Sequence, residues 1–594
     1  METRGAAPSA PQRLRPTRST VAAGALVAVV VSPVVIGALS LVGDTWLPLS
    51  DWSSQLFRTS EVGTRATPLV GPYSVHDFAH PGPLIYWLAA PLYRLTGGDP
   101  RSMLWSAAVV NSLCIVAMAA VAWRRGRWPL LLATMLFVAL LVHGLGPART
   151  VDMWNPHVPL LPFLLAVFLV WDAALGRRRA LVEALVPASF AAQSHLAFAS
   201  LALLLLAWLV AWTYRRRRVF PDLDSGDDAG GAPWAGLRRP ILVVLGVLWF
   251  APLLDALFDL HNPYHVAASF VPDGSADRVG PVEALGVVGR YVRPDGPWIG
   301  GAEPTVFFSI RGSGPLPLLL AVAVLVGCCL VARRHRLADV AALATLSLVL
   351  VVGSVPATSQ IVLPNADYLV QWLKVVGGLV WFTVAWTGWR LVEPRLTLAP
   401  AGRRRGAALV AVAAVAASAA WTWGDAATWS PPGTEDAALL GDVRSGLAQE
   451  LDPGRTYRVE VRGDGQNHFR GLIYWMIHDG YDVTTTDGSY GLKWGHAHRY
   501  LGDDYDSFVT VAVHNGGSLS DAVADCLDHA GTRLVFSHDE LTPDERAWLD
   551  DVRLRHVVDP DSVTAGDDAR STELEARGFR IGIFEGRKAC SRAE

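Results

Sequence analysis

Long runs of leucine, valine and alanine recur over the first roughly 425 residues, and short polar segments separate them. Most runs have the roughly 20 residues that a helix needs to cross a bilayer. The pattern predicts about eleven membrane-spanning helices, at 20–42, 102–123, 128–145, 158–175, 180–192, 196–214, 240–260, 315–332, 337–355, 368–391 and 406–423. The fifth run is the shortest and contains Pro187, so the predicted number depends most on it.

The first apolar run follows an arginine- and proline-containing N-terminus, 1–19, which we predict to be disordered and cytoplasmic. A basic segment before an apolar run is also typical of a secretory signal peptide. This run is longer than the apolar core of a signal peptide, and no clear small-residue cleavage site follows it. We therefore predict a retained membrane anchor.

Arginine clusters occupy alternate connections between the runs, and such clusters favour the cytoplasmic side of a membrane. A cytoplasmic N-terminus places all of them inside, and an odd number of spans then places the C-terminus outside. The sequence thus predicts a multi-pass plasma-membrane protein whose long outer segments include the first external loop, 44–101. The clusters are Arg124, Arg125 and Arg127; Arg177–Arg179; Arg215–Arg218 with Arg238 and Arg239; Arg333, Arg334 and Arg336; and Arg403–Arg405.

The composition changes near Trp429, after which charged residues are frequent and no run is long enough to cross a bilayer. Strand-like segments at 456–461, 507–513, 532–536 and 579–584 alternate with helical patterns at 468–478, 519–529 and 543–552. The predicted fold is an α-helical polytopic membrane domain at 20–425 with an extracytoplasmic α/β domain at 430–594. That domain has no glycine-rich phosphate-binding motif, so we expect it to dock a substrate or support the membrane domain.

Five cysteines are too few for a disulfide-rich scaffold. Cys114, Cys328 and Cys329 lie in apolar runs, where we expect small buried side chains. An extracytoplasmic tail would permit a disulfide bond between Cys526 and Cys590. The net charge of −3 and the lack of a basic surface pattern with interleaved aromatics predict no nucleic-acid partner.

The first external loop collects carboxylates and imidazoles among aromatic residues and prolines, which a mere connector does not need. Asp51 lies in a segment predicted to form a helix at the membrane interface, with Trp52 and Phe57 towards lipid and the carboxylate towards a cavity. The site's further polar residues in this loop are Glu61, His76, Asp77 and His80. We therefore predict that the loop forms the reaction site.

The loop also allows a divalent metal ion as a cofactor, since imidazole and carboxylate groups are suitable ligands. His76 and His80 would share one face of a helix at their spacing of four residues. Pro81 and Gly82 disfavour such a helix. No residue is therefore assigned as a metal ligand.

Polar residues at the same predicted membrane depth on other segments indicate a shared polar cavity. They are Arg149, Asp152, Asn155, His157, Gln193 and His195. Lys374 lies just inside a predicted span, where it either snorkels to water or pairs with a buried group. An anionic lipid phosphate and Asp255 are both candidate partners.

Five local motifs resemble those of a known group of proteins: DWSSQLFRTSEVGT, TPLVGPYS, HPGPLIYWLAAPLYRLTG, WNPHVPLLPFLL and WFAPLLD. Together with the predicted spans and tail, they resemble the GT-C superfamily of polyprenyl-phosphate-sugar-dependent glycosyltransferases. More narrowly, they are similar to actinobacterial multi-pass proteins described only as GT-C-like. The resemblance covers roughly the first 260 residues in sequence, the later helices in architecture only, and hardly any of the tail.

The resemblance implies an inverting glycosyltransferase that moves a sugar from a polyprenyl-phosphate donor to a glycan or glycoprotein of the cell envelope, in cell-wall biogenesis. Asp51 would be the general base, although Trp52 replaces the second acid of the paired form that many members carry. Lys374, Arg149 or Arg58 would stabilise the leaving phosphate, with a metal ion as the alternative. The predicted substrate-binding residues are Glu61, His80, Arg149, Asp152, Asn155, His157, His195 and Lys374.

Two other functions fit the same pattern of spans. A transporter or flippase of lipid-linked glycans would be expected to contain structural repeats, and no clear internal repeat is visible in the sequence. A non-catalytic envelope scaffold would use the tail to bind a partner.

Overall fold

A computed structural model describes residues 17–590, apart from 44, 75–77, 221–235, 259–260, 270–277, 301–311, 363–366, 398–399, 435, 464–470, 485–504, 515–521, 528, 530 and 560–561. The predictions made for most of the N-terminus, for His76 and for Asp77 lie outside the described residues. Parts of two predicted tail helices, 468–470 and 519–521, also lie outside them.

The first part of the chain, as far as it is described, contains helices and a short antiparallel strand pair, β1 (Tyr73–Ser74) with β2 (Phe78–Ala79). Its helices are α1 (Arg18–Leu39), α2 (Ser50–Ser60), α3 (Leu84–Leu95), α4 (Ser102–Leu145), α5 (Pro147–Thr150), α6 (Leu160–Ala174), α7 (Arg179–Ser194), α8 (Leu196–Val219), α9 (Arg238–Phe258), α10 (His261–Ser269), α11 (Gly280–Tyr291), α12 (Leu316–Arg334), α13 (Ala338–Ser359), α14 (Trp372–Thr397) and α15 (Ala401–Thr428).

Eight helices of the described ranges are long and apolar enough to cross a membrane. One of them, α4, has 44 residues and bends at Arg127, where φ is 49°, so it contains two of the predicted spans. The predicted fourth and fifth spans fall on α6 and α7, which have only 15 and 16 residues. Each predicted span therefore coincides with helix over most of its described residues, and the predicted polytopic helical fold is confirmed.

The centre of the helical part is α6, in which all 15 residues are buried. A helix that is apolar all round must be enclosed by other helices, and α4, α7 and α8 pack around this one. Its one acid, Asp172, is fully buried and bonds to Arg125, with Arg177 at 3.2 Å. A buried carboxylate needs such partners, so this cluster fastens α4 to one end of α6.

The last part of the chain is an α/β unit, as predicted. Its sheet has the order β4-β3-β5-β7-β6, in which β3 runs parallel to β4 and β5 whereas β7 is antiparallel to β5 and β6. The structure joins Cys526 and Cys590 in a disulfide bond across a Cα–Cα distance of 5.2 Å. The elements are α16 (Ala437–Glu450), β3 (Thr456–Gly463), α17 (Leu472–His478), β4 (Asp482–Thr484), β5 (Ser507–His514), α18 (Ala522–Leu527), β6 (Thr532–Asp539), α19 (Pro543–Val558), α20 (Ala565–Arg577) and β7 (Arg580–Gly586).

The α/β unit packs directly on α2 and shares one hydrophobic core with it. Phe57 of α2 contacts Tyr474 of α17 edge to face, with 5.9 Å between ring centroids. The sequence-based expectation that Phe57 faces lipid is wrong, since only 4% of this residue is exposed. The apolar face of α2 is covered by α17, which lies more than 400 residues later in the chain. The helix therefore lies between the membrane helices and the α/β unit.

Candidate active site

Asp51 lies in the first turn of α2, where a carboxylate interacts favourably with the helix dipole. The residue is half-buried. The indole N–H of Trp154 donates to its Oδ2 at 3.3 Å. Asp51 is thus held at one end by the helix and at the other by an aromatic side chain, while part of it stays accessible to a substrate.

Asp152 is engaged through both carboxylate oxygens. Its Oδ1 accepts the indole N–H of Trp52 at 2.8 Å and the backbone N–H of Trp154 at 2.9 Å. Its Oδ2 lies 2.9 Å from Nδ1 of His157. With 1% of the residue exposed, Asp152 fixes the orientation of these three neighbours.

Aromatic rings form a continuous wall beside Asp51. The ring centroids of Trp52 and Trp154 are 5.2 Å apart, and those of Trp154 and Tyr368 are 4.9 Å apart. Tyr368 was not among the sequence-predicted site residues. Its position at the outer start of a predicted span, next to the acidic Asp367, was the available signal.

His157 presents a buried nitrogen to this site. Because the carboxylate of Asp152 only accepts hydrogen bonds, Nδ1 of the imidazole is the donor in that pair. Burial lowers the pKa of His157, and the hydrogen bond that the ring donates to Asp152 only partly opposes this. The neutral ring then carries a lone pair on Nε2, a buried atom that has no hydrogen-bond partner among the described residues.

A second buried acceptor lies on α2. The amide nitrogen of Gln55 donates to Oδ1 of Asn155 at 3.4 Å, whereas Oε1 of Gln55 has no hydrogen-bond partner in the described part of the chain. Buried polar atoms without partners cost free energy. A ligand with hydroxyl groups would satisfy both Gln55 and His157.

The imidazole rings of His80 and His195 lie against each other in a tilted arrangement, with ring centroids 4.7 Å apart and 33° between the ring planes. Each Nδ1 accepts a backbone N–H from the start of α8, at 3.2 Å for His80 and 3.3 Å for His195. Burial, and to a smaller extent the neighbouring His195, lowers the pKa of His80. Burial, with a contribution from His157, lowers the pKa of His195 to about 4. Both rings are therefore neutral near pH 7.

Glu61 is paired with Arg58, one turn before it on the same segment. Tyr86 of α3 lies beside this pair. Burial raises the pKa of Tyr86, the charge of Arg58 opposes the rise, and the carboxylates of Asp51 and Glu61 add to it. Glu61 thus serves first as the ion-pair partner of Arg58.

Arg149 lies behind the aromatic wall with only 2% of its surface exposed. Its Nη2 is 3.7 Å from Oδ2 of Asp367, which also accepts an N–H from Gln371 at 3.0 Å. Asp367 was another residue that sequence reasoning did not place in the site. The charges of Arg149 and Asp367 both act on His157, so these groups belong to one cluster.

Lys374 is buried, with 1% of the residue exposed, and its Nζ donates to the carbonyl of Gly144 at 2.8 Å. A cation at the C-terminal end of α4 is favoured by the dipole of that helix. The alternative partner Asp255 lies on α9, which packs against α7 and α10.

An apolar cavity of about 620 Å³ lies between α4, α14 and α15. The carbonyl of Trp298, one of its lining residues, abuts Gly144, where an added Cβ would come within 2.1 Å of it. Trp298 thus lines the cavity and also contacts Gly144, the residue that accepts the hydrogen bond of Lys374. Its aromatic lining consists of Trp128, Phe137, Trp298, Trp381, Phe382 and Trp389.

The described residues do not assemble a metal site. No group of three or more His, Cys, Asp or Glu side chains among them converges on a common point. Both oxygens of Asp152 accept hydrogen bonds from protein donors. His76 and Asp77 lie outside the described residues.

Fold and site together define a multi-pass membrane protein whose polar, aromatic-walled site adjoins a C-terminal α/β unit. No family model matches the chain, and the search of curated proteins found no match. Among solved structures, ArnT from Cupriavidus metallidurans bound to undecaprenyl phosphate is 14% identical with a TM-score of 0.48, over 87% of this chain and 96% of that one.

Structures of an archaeal oligosaccharyltransferase are also similar to this chain over most of its length, at low sequence identity. AglB from Archaeoglobus fulgidus, in complex with an inhibitory peptide and a dolichol-phosphate, is 12% identical with a TM-score of 0.43, over 94% of this chain and 88% of that one. A complex of the Archaeoglobus fulgidus oligosaccharyltransferase with Zn and sulfate is 11% identical with a TM-score of 0.45. The likeness concerns the fold, and no residue role is taken from it.

Proposed function

We propose that the protein is an inverting glycosyltransferase that moves a sugar from a polyprenyl-phosphate donor to a cell-envelope glycan or glycoprotein on the outer face of the membrane. The half-buried carboxylate of Asp51, held by Trp154 beside an aromatic wall, is the observation that carries the proposal. It combines a base that substrate can reach with a buried setting in which electrostatic interactions are strong.

In the proposed reaction, Asp51 accepts the proton of an acceptor hydroxyl while that oxygen attacks the anomeric carbon of the donor sugar. The bond from that carbon to the phosphate oxygen breaks, and its electron pair leaves with the polyprenyl phosphate. The phosphate departs as a stable anion, so no general acid is needed. One displacement inverts the anomeric configuration.

His157 would bind a sugar hydroxyl through the lone pair of Nε2. Its hydrogen bond to Asp152 supports this role, because that bond fixes both the tautomer and the orientation of the ring. Oε1 of Gln55, on α2, supplies a second buried acceptor. The side chain of Gln55 also bonds to Asn155, two residues before His157. The site is thus suited to a polyhydroxylated ligand.

The buried cations Arg149 and Lys374 would stabilise the leaving phosphate. The apolar cavity between α4, α14 and α15 would hold part of the polyprenyl chain. This placement is supported by Gly144, which contacts both the ammonium group of Lys374 and the backbone of Trp298, a residue that lines the cavity. The apolar polyprenyl chain would then lie in the apolar cavity, and the anionic phosphate would lie near the buried cations.

Replacement of Asp51 by asparagine tests the proposal. The isosteric amide cannot accept the proton, so transfer from labelled polyprenyl-phosphate sugars should fall by roughly 10² to 10⁴-fold. The thermal transition of the purified variant should stay at the wild-type temperature. Full transfer activity in Asp51→Asn would sink the assignment, and lipid translocation without transfer would favour a flippase.

A further inference from the structure

The first turn of α2 meets the α/β unit at Gly471, the residue immediately before α17. A Cβ added to Gly471 would lie 2.4 Å from Oγ of Ser53, 2.9 Å from Cα of Leu49 and 3.0 Å from the backbone nitrogen of Ser50. Two of these three atoms are backbone, which cannot rotate away. The space beside the first turn of α2 therefore admits only a hydrogen atom.

The conformation of Gly471 does not itself require glycine. Its φ and ψ are −62° and −19°, values that any L-residue adopts. The requirement comes from the close approach of the two segments. Alanine at this position would change the packing against α2 without straining the backbone of α17.

The residue that precedes Asp51 has a strained backbone. Ser50 has φ of 52°, a left-handed conformation that costs free energy for a residue with a Cβ. The N-cap residue, Leu49, supplies no side-chain hydrogen bond to the helix. Strained conformations persist where the surrounding structure fixes them, so contacts from elsewhere must hold this turn.

The contacts that hold it come from the C-terminal part of the chain. The indole N–H of Trp475, in α17, donates to the carbonyl of Pro48 at 3.0 Å. The indole N–H of Trp46 donates to the carbonyl of Pro432, also at 3.0 Å. The two hydrogen bonds hold the chain at Trp46 and Pro48. Gly471 packs against the next residues, Leu49 and Ser50.

We propose that α17 is a positioning element for Asp51. By holding the strained turn at Ser50, Gly471 and Trp475 set the direction in which the carboxylate enters the site. This inference rests on the proposed function, in which Asp51 is the general base. It assigns the α/β unit a part in catalysis that goes beyond docking or support.

The first test compares Gly471→Ala with Gly441→Ala. Gly441 lies in α16, where an added Cβ meets nothing within 4 Å, so that variant is the matched control. The assay uses full-length protein, ¹⁴C-labelled polyprenyl-phosphate sugars extracted from the host, and envelopes of a deletion strain as acceptor. Displacement of a catalytic group by about 1 Å lowers turnover by roughly 10²-fold. We expect the kcat of Gly471→Ala to fall by 10 to 100-fold with KM for the lipid donor within about twofold, and Gly441→Ala to match wild type.

A second pair of variants separates positioning from a loss of fold. Trp475→Phe keeps an aromatic ring but removes the bond to Pro48, and we expect roughly tenfold lower kcat. Glycine adopts positive φ without strain, so Ser50→Gly in the Trp475→Phe background should restore part of the turnover. A merely structural role of Trp475 predicts no such rescue.

The outcomes distinguish the two proposals. If Asp51→Asn is inactive while Gly471→Ala and Trp475→Phe keep the kcat of Gly441→Ala, the positioning role is overturned and the proposed function stands. If Asp51→Asn retains wild-type transfer, both are overturned. If Gly471→Ala melts early, Trp475→Phe with and without Ser50→Gly decides the question.

Discussion

Two aspartates near the same aromatic wall differ in what surrounds them. Asp152 gives both oxygens to Trp52, Trp154 and His157 and is almost fully enclosed. Asp51 shares the indole of Trp154 but is half-buried, so a substrate can reach it. At the scale of single residues, accessibility favours Asp51 over Asp152 for the proposed reactive role, and the contacts of Asp152 favour an orienting role.

The buried histidines make folding stability depend on pH. Histidine has an ordinary pKa of 6.5, and burial lowers that of His195 to about 4. The folded state therefore resists protonation, so its stability is fully present above pH 6.5 and is lost as the pH falls towards 4. The loss attributable to this residue is about 3 kcal/mol. We expect the thermal transition temperature to fall between pH 7 and pH 4.5.

His195→Asn provides the control for this prediction. The amide oxygen can accept the N–H of Ala197 that Nδ1 accepts in the wild type, yet the side chain does not titrate. The transition temperature of the variant should therefore fall less steeply over the same pH interval. Equal slopes for the variant and the wild type would contradict the assignment.

At the scale of elements, the spans follow from composition because each needs a long apolar run. The two shorter spans are also visible in the sequence, since α6 is apolar apart from Asp172 and α7 is mostly apolar despite Glu183 and Pro187. The surroundings of α2 are not visible, because its apolar side is covered by α17 rather than lipid. Local periodicity shows which face is apolar but does not show what covers it.

The candidate site could likewise be predicted only in part, because the local sequence does not show which groups surround a side chain. Residues near the outer ends of spans were expected to share a depth, and Arg149, Asp152 and His157 do cluster. Their individual bonds depend on side-chain directions that spacing does not fix. The i,i+3 spacing of Arg58 and Glu61 indicates their pairing in the local sequence, whereas the strain at Ser50 has no such signature.

The apolar cavity between α4, α14 and α15 gives a prediction about the donor. Ala408 lines this cavity, and the neighbouring Leu409 is 70% exposed outside it. A tryptophan at position 408 would fill space proposed for the polyprenyl chain. We expect Ala408→Trp to raise KM for the lipid-linked donor by roughly tenfold, about 1.4 kcal/mol, with kcat unchanged.

Leu409→Trp is the control, because its side chain faces away from the cavity and should leave both parameters at wild-type values. Measurement of initial rates against donor concentration distinguishes the variants. An unchanged KM in Ala408→Trp would place the lipid chain elsewhere.

At the scale of the whole molecule, the proposed reaction requires α2 and the α/β unit on the outer side of the membrane. Ser562 is an exposed residue of the α/β unit. His335 is an exposed residue of the connection between α12 and α13. A membrane-impermeant maleimide should label Ser562→Cys in intact cells and His335→Cys only after permeabilisation. The unmodified chain gives the background from its own cysteines, and labelling of His335→Cys in intact cells would contradict the orientation.

The most direct measurement is the composition of envelope glycans and lipid-linked sugars in a deletion strain that carries either wild-type or Asp51→Asn protein at equal abundance. We predict that the wild-type protein restores one glycan component and that Asp51→Asn does not, while a polyprenyl-phosphate sugar accumulates. Restoration of that component to the wild-type level by Asp51→Asn would contradict the assignment of Asp51 as the general base.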